Sequence, residues 1–272
     1  MNLLQYAFFH NALAGSVFTC ISCGIAGSYI VSRRLVFISG GITHASFGGL
    51  GLGFYLGVSP ILSALLFSIA SAFGVEWLSK KQDVREDSAI AAVWALGMAL
   101  GVICIFLTPG YSPNISAYLF GNILTITLSD IIFAGALAVL LSILFILFFK
   151  PILYTAFDSE FAKTQGVKVA LVEHLMMLAI AVTIVSSIRL IGIMLLMSLL
   201  TVPQMTANLF TSRLQKIILY SIGLGIAGCF SGLFLSYYLN VPSGAAIIFV
   251  QILLFLLCKT GLFIYQKTIK RT

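Results

Sequence analysis

Long apolar runs, separated by short polar connections that carry nearly all the charge, occupy the chain from residue 11 to residue 264. At 1.5 Å per residue, runs of about twenty match a hydrocarbon layer about 30 Å thick. They predict an all-α, polytopic transmembrane bundle with spans at about 11–31, 35–57, 60–79, 89–107, 127–149, 170–188, 190–210, 216–239 and 243–264. The boundary at 188–190 is the narrowest; a different break within 170–210 lowers the count from nine spans to eight and moves the N-terminus inside. Only 108–126 and 150–169 are long connections.

One run has a different texture. Residues 35–57 are studded with glycine and hold His44, with no other ionisable side chain apart from Tyr55. His44 lies roughly 13 Å in from the Arg33-Arg34 end of its span. An ionisable group at that depth is costly and faces a partner or a water-filled path. Gly41, Ala45, Gly49 and Gly53 place a small residue at every fourth position, and Gly40 and Gly48 lie one turn either side of the histidine. Such a stripe lets another helix approach closely, so the imidazole is expected in a protein-lined groove, as a ligand site inside the membrane.

Composition agrees with the pattern. Hydrophobic residues make up 60% and charged residues 8%, against about 25% charged in a soluble domain; mean hydropathy is +1.12. Met1 to His10 has no basic n-region, so no cleavable signal is expected. Charge then orients the bundle. Arg33, Arg34, Lys80, Lys81, Arg85, Lys150, Lys163, Lys168, Arg213, Lys216, Lys259, Lys267, Lys270 and Arg271, fourteen of fifteen basic residues, fall on one side. The positive-inside rule makes that side cytoplasmic, with the N-terminus outside the cell membrane and the C-terminus inside. The net charge of +7 is therefore a topology signal and no sign of nucleic-acid binding. Arg189, the exception, reads as a side chain snorkelling to the outer interface or lining the path.

The chain carries no motor. A Walker A loop needs glycines followed by Lys and Ser/Thr, and no Gly-Lys-Ser/Thr sequence occurs. The cytoplasmic connections are too short for a nucleotide-binding domain, so ATP hydrolysis would belong to a separate chain and this one is no enzyme. The contact for such a motor is 157–168. Asp158 or Ser159 can cap a short helix, Glu160 favours its first turn and Gly166 stops it. Phe157 and Phe161 then offer a face for a partner's groove, or rest in the headgroups as an interfacial helix, and Glu160, Ala162 and Gly166 have the spacing Glu-x-Ala-x-x-x-Gly.

Several segments, in order along the chain, resemble the permease subunits of the bacterial ABC importers for zinc, manganese and iron(II). They are Gly27-Ser-Tyr-Ile-Val-Ser-Arg-Arg34, Ser39 to Gly48 with its Thr43-His44-Ala45 triplet, and Leu119-Phe-Gly-Asn-Ile-Leu124. Phe157-Asp-Ser-Glu-Phe-Ala162 through Gly166, Leu199-Leu-Thr-Val-Pro203, and Ser236 to Gly244 complete the set. The resemblance implies a homodimeric permease with separate ABC ATPase subunits, an extracytoplasmic metal-binding protein, a divalent transition metal as transported ion and no resident cofactor. It also places 157–168 as the ATPase coupling segment. Two positions depart from the family pattern: Gly40 and Asn240 stand where aspartate is usual.

His44 heads the candidate path, with Thr43 beside it. Met194, Met197, Thr201, Met205 and Asn208 recur at helical spacing as one soft and polar stripe, and Pro203 frees a carbonyl in that helix. Methionine there reads first as packing between helices, with ligation as the alternative. Cys20 and Cys23 share one helical face inside a span and read as packing, with soft-metal contact as the alternative; no disulfide framework is expected of the five cysteines. Asp130 reads as a cap for 131–149, His10 as a residue near an outer span end, and Glu173 and His174 as solvated at the cytoplasmic interface. The function expected is an ATP-driven importer's permease for a divalent metal. The alternatives are a permease for an iron chelate or other organic complex, and an autonomous channel or secondary carrier.

Overall fold

The computed structural model describes residues 7–82, 84–109 and 126–269. Among these there is no strand, and eleven helices follow one another: α1 (Ala7–Ser32), α2 (Val36–Leu56), α3 (Pro60–Lys81), α4 (Glu86–Leu107), α5 (Leu128–Leu147), α6 (Phe149–Phe157), α7 (Ser159–Thr164), α8 (Val169–Leu199), α9 (Val202–Ala207), α10 (Leu214–Leu239) and α11 (Ser243–Ile269). The Leu119–Leu124 segment lies outside the described residues.

Punctuation residues set the helix ends. Ser59 caps α3 ahead of Pro60, whose missing N–H costs nothing in a first turn. Thr127 and Asp130 form a reciprocal capping box at α5: Asp130 N reaches Thr127 Oγ1 at 3.3 Å, while the Asp130 carboxylate accepts from Thr127 N at 3.1 Å. Asp130 is thus a capping residue, from inside the first turn. Asn240 ends α10 in the left-handed conformation, φ 54°, which asparagine tolerates better than most side chains.

Among the described residues, eight helical segments are long and apolar enough to cross a membrane. The 21-residue α2 is not one of them, because six glycines dilute its hydropathy. It is shielded from lipid by protein: Gly41 abuts Ile90 and Gly48 abuts Gly97 of α4, while Gly49 and Gly53 rest on Ala64 and Pro60 of α3. A Cβ on Gly97 would come within 2.5 Å of the Ala45 Cα, so that crossing is a backbone-to-backbone contact. The small stripe of α2 therefore serves two neighbours. Each fourth residue drifts by about 40° around a helix of 3.6 residues per turn, so the row turns from α4 toward α3 as it rises.

The 170–210 region departs from two simple spans. Helix continues past Arg189 and breaks at Gly192, whose φ of 77° and ψ of 166° are open to glycine alone. Ser187 lies beside the Cys23 thiol of α1, and Gln204 donates to the Cys23 carbonyl at 2.9 Å. Seventeen residues of straight helix would have moved the chain about 25 Å; here it returns to the same level of α1. Residues 188–207 thus form a hairpin that doubles back within the bundle. Ala7, the far end of α1, lies about 24 Å beyond Cys23, well past the turn. The break at Gly192 is three residues later than the sequence suggests; the Arg189 side chain lies outside the described residues.

At the opposite level, the basic end, polar side chains link four helices. Arg33 of α1 pairs with Glu173 of α8 and donates to the Thr155 carbonyl of α6 at 3.0 Å. His174 Nε2 stands 3.9 Å from the Glu76 carboxylate of α3. Glu173 is consequently paired within the bundle, where the sequence suggested only interfacial solvation, while His174 is exposed, as expected of a solvated interface.

Candidate metal path and coupling surface

His44 lies on the wall of α2, half-buried, with its ring stacked flat on Trp94 of α4 at 4.3 Å between centroids and 9° between planes. The close α2–α4 crossing at Ala45 and Gly97 brings the two rings together. Nδ1 is buried without a hydrogen-bond partner. A metal-ligating histidine is ordinarily oriented by a carboxylate or carbonyl on its second nitrogen; here the indole face orients the ring. Trp94 is a site residue that sequence reasoning missed, since nothing in the periodicity of 86–107 tells which turn will meet position 44.

Met197 approaches the same helix one turn away: a Cβ on Gly40 would stand 2.9 Å from its Cε and 3.8 Å from its Sδ. Positions 40 and 44 share a face of α2, so the thioether and the imidazole are neighbours along it. The rest of the predicted stripe does not stay together. The helix breaks at Thr201, φ −130°, which places Met205 in α9 and Asn208 at its C-terminal end. Met194 and Met205 are exposed, while the Thr201 hydroxyl donates to the Met197 carbonyl at 2.8 Å. Thr43 is fully buried and its hydroxyl donates to the Ser39 carbonyl at 2.7 Å.

Cys20 Sγ and Cys229 Sγ are 3.6 Å apart, joining α1 to α10; they are free thiols buried among apolar neighbours. His10 is exposed near the start of α1. Among the described residues, no three His, Cys, Asp or Glu side chains converge as a metal-binding group.

At the basic end, the Asp158 carboxylate accepts from the Glu160 and Phe161 backbone N–H groups at 3.0 Å and starts the six-residue α7. Gly166, φ 74°, lies just past its end. Ala162 is fully buried and anchors this helix, whereas Phe157 and Phe161 are exposed; Phe161 meets Tyr154 edge-on at 5.3 Å. Glu160 accepts from Lys163 at 2.6 Å, a hydrogen bond that raises the pKa of that ammonium above its ordinary value. Two aromatic side chains beside a small charged helix form a projecting knob on this face.

A polytopic bundle with an ionisable residue on a glycine-rich inner helix, a hairpin that turns back at depth and a capped knob at one end is a membrane transport subunit. The chain belongs to the ABC 3 transport family, whose model matches residues 5–261. It is 38% identical to an uncharacterized membrane protein of Synechocystis, over 93% of this chain and 90% of that one. It is 32% identical to the manganese transport system membrane protein MntC of Listeria monocytogenes, over 97% and 96% of the two chains. Its fold is similar to that of PsaBC from Streptococcus pneumoniae, solved in complex with a Fab, with TM-score 0.86, 28% identity and 94% and 92% coverage.

Proposed function

We propose that this chain is the membrane path of an ATP-driven importer for a divalent transition metal, working as a homodimer with two separate ATPase subunits and an external metal-binding protein. The observation that carries the reading is His44, held at depth on α2 against Trp94 with one ring edge lacking any protein partner. The manganese systems among its relatives support a metal cargo. The basic end faces the cytoplasm, by the bias of Lys and Arg. There the 157–168 knob docks on the ATPase, and closure of the ATPase pair tilts the helices around His44 between outward and inward access. Binding must be strong enough to replace hydration and weak enough to release.

The test is His44→Ala in the reconstituted complex. The expected result is loss of metal uptake with expression and ATPase assembly near wild type, and in the wild type a fall in uptake on acidification, because imidazolium cannot ligate. Unchanged metal flux per folded complex in His44→Ala would reject the path role.

A further inference from the structure

We infer that Met197 supplies the second donor of the path and makes it selective for borderline divalent ions, iron(II) or zinc, over manganese. This rests on the importer reading above and names the chemistry of its site. The glycine at position 40 leaves a gap on the histidine's own face of α2, and the Met197 side chain fills it from the hairpin: Cε lies 2.9 Å and Sδ 3.8 Å from where a Cβ would stand. Sulfur thereby sits one helical turn from the imidazole. The hairpin is fixed for this task. Pro203 has no N–H to offer the Leu199 carbonyl, and Gln204 Nε2 satisfies it instead at 3.1 Å while also bonding Cys23 of α1. Met197 is therefore carried on a backbone anchored two residues further along.

No carboxylate answers this pair. Neither α2 nor residues 188–207 contain Asp or Glu, and the described carboxylates all lie within two turns of a helix end or in connections. Carboxylates and carbonyls suit manganese, imidazole suits zinc and iron, and thioethers favour softer ions still. An imidazole–thioether pair discriminates against the hardest ion of that series. The stacked indole adds no charge. With only neutral donors the ion is also held loosely, which suits a transit site.

The experiment exchanges donors with little change of shape. Met197→Leu keeps the packing volume and removes the sulfur. Gly40→Asp works from the opposite side: its side chain must push aside the flexible tip of Met197, replacing thioether by carboxylate at the same turn. The permease–ATPase complex with its binding protein, in proteoliposomes, is supplied with iron(II), zinc and manganese, singly and in competition, and internal metal is counted by mass spectrometry per folded complex. The expected wild type moves iron(II) or zinc in preference to manganese; Met197→Leu loses most of that preference, and Gly40→Asp reverses it. A wild type preferring manganese, or a selectivity ratio unchanged in both variants with flux intact, would overturn the assignment. If the wild type moves no metal, the importer reading itself falls and this inference with it.

Discussion

Replacing Gln204 by leucine should detach the hairpin from α1, and the cost can be worked from its contacts. Gln204 Nε2 donates to Cys23 O at 2.9 Å and to Leu199 O at 3.1 Å, and the residue is fully buried. Cys23 O keeps its place in the α1 hydrogen-bond ladder. Leu199 O does not, because its continuing partner would be the N–H that Pro203 lacks. A buried carbonyl left unpaired costs about 1–3 kcal/mol. The Gln204 Oε1 atom has no partner of its own, so leucine also removes one unsatisfied group, and the net loss is expected near the lower end, about 1–2 kcal/mol. Gly27→Ala attacks the same joint from α1: its Cβ would fall 2.5 Å from both Gln204 Nε2 and the Leu200 carbonyl oxygen. The amide can swing away but the carbonyl cannot, so the hairpin must shift, at a cost of about 1–3 kcal/mol. Thermal unfolding of the purified complex and metal uptake per folded complex provide the readout. Both single variants should lose uptake out of proportion to stability, since a displaced hairpin moves Met197 from Gly40. The double variant should cost less than the sum, as expected for residues in contact. Additive losses with wild-type uptake in all three would refute the joint.

The exposed knob gives a second prediction: Gly166→Leu, which forces a branched side chain into φ 74°, and Glu160→Lys, which removes the Lys163 partner and reverses charge beside the helix start, should each uncouple ATP hydrolysis from transport without unfolding the bundle. Normal transport-stimulated hydrolysis in both would leave 157–168 as a merely interfacial segment. For orientation, an impermeant thiol reagent on intact cells, with a cysteine-free background, should label a cysteine placed at Asn2 and miss one at Thr272; the reverse pattern would invert the bundle. The hairpin does not change this expectation, because α10, whose Ile222 abuts Gly24 and whose Cys229 meets Cys20 of α1, starts again from the basic end at which α8 began.

Periodicity and charge were enough to determine the class: nearly continuous apolar runs with one-sided Lys and Arg specify a bundle in lipid, since backbone groups in hydrocarbon must pair within helices. Local chemistry was equally legible where it acts through adjacent residues. Asp158 and Gly166 delimit the short α7 as their types suggest, because caps and left-handed stops need only the backbone a few residues away. His44 stood out for the same reason, an ionisable group in an otherwise apolar run. Its contacts were decided only by tertiary structure. The flat stack on Trp94 depends on where α2 and α4 cross, and the crossing on small residues far apart in sequence, Ala45 and Gly97, meeting backbone to backbone. The apparent stripe from Met194 to Asn208 assumed one straight helix; Gly192 and Thr201 bend and break it, leaving Met197 as the member that reaches Gly40 of α2. Arg33 and Glu173 stand 140 residues apart in the chain, and their pairing depends on helices α1 and α8 ending at the same level. A one-dimensional pattern reports which face of a helix is apolar or small, whereas the neighbour that fills that face is set by crossing angles and chain reversals, to which residues distant in sequence contribute together.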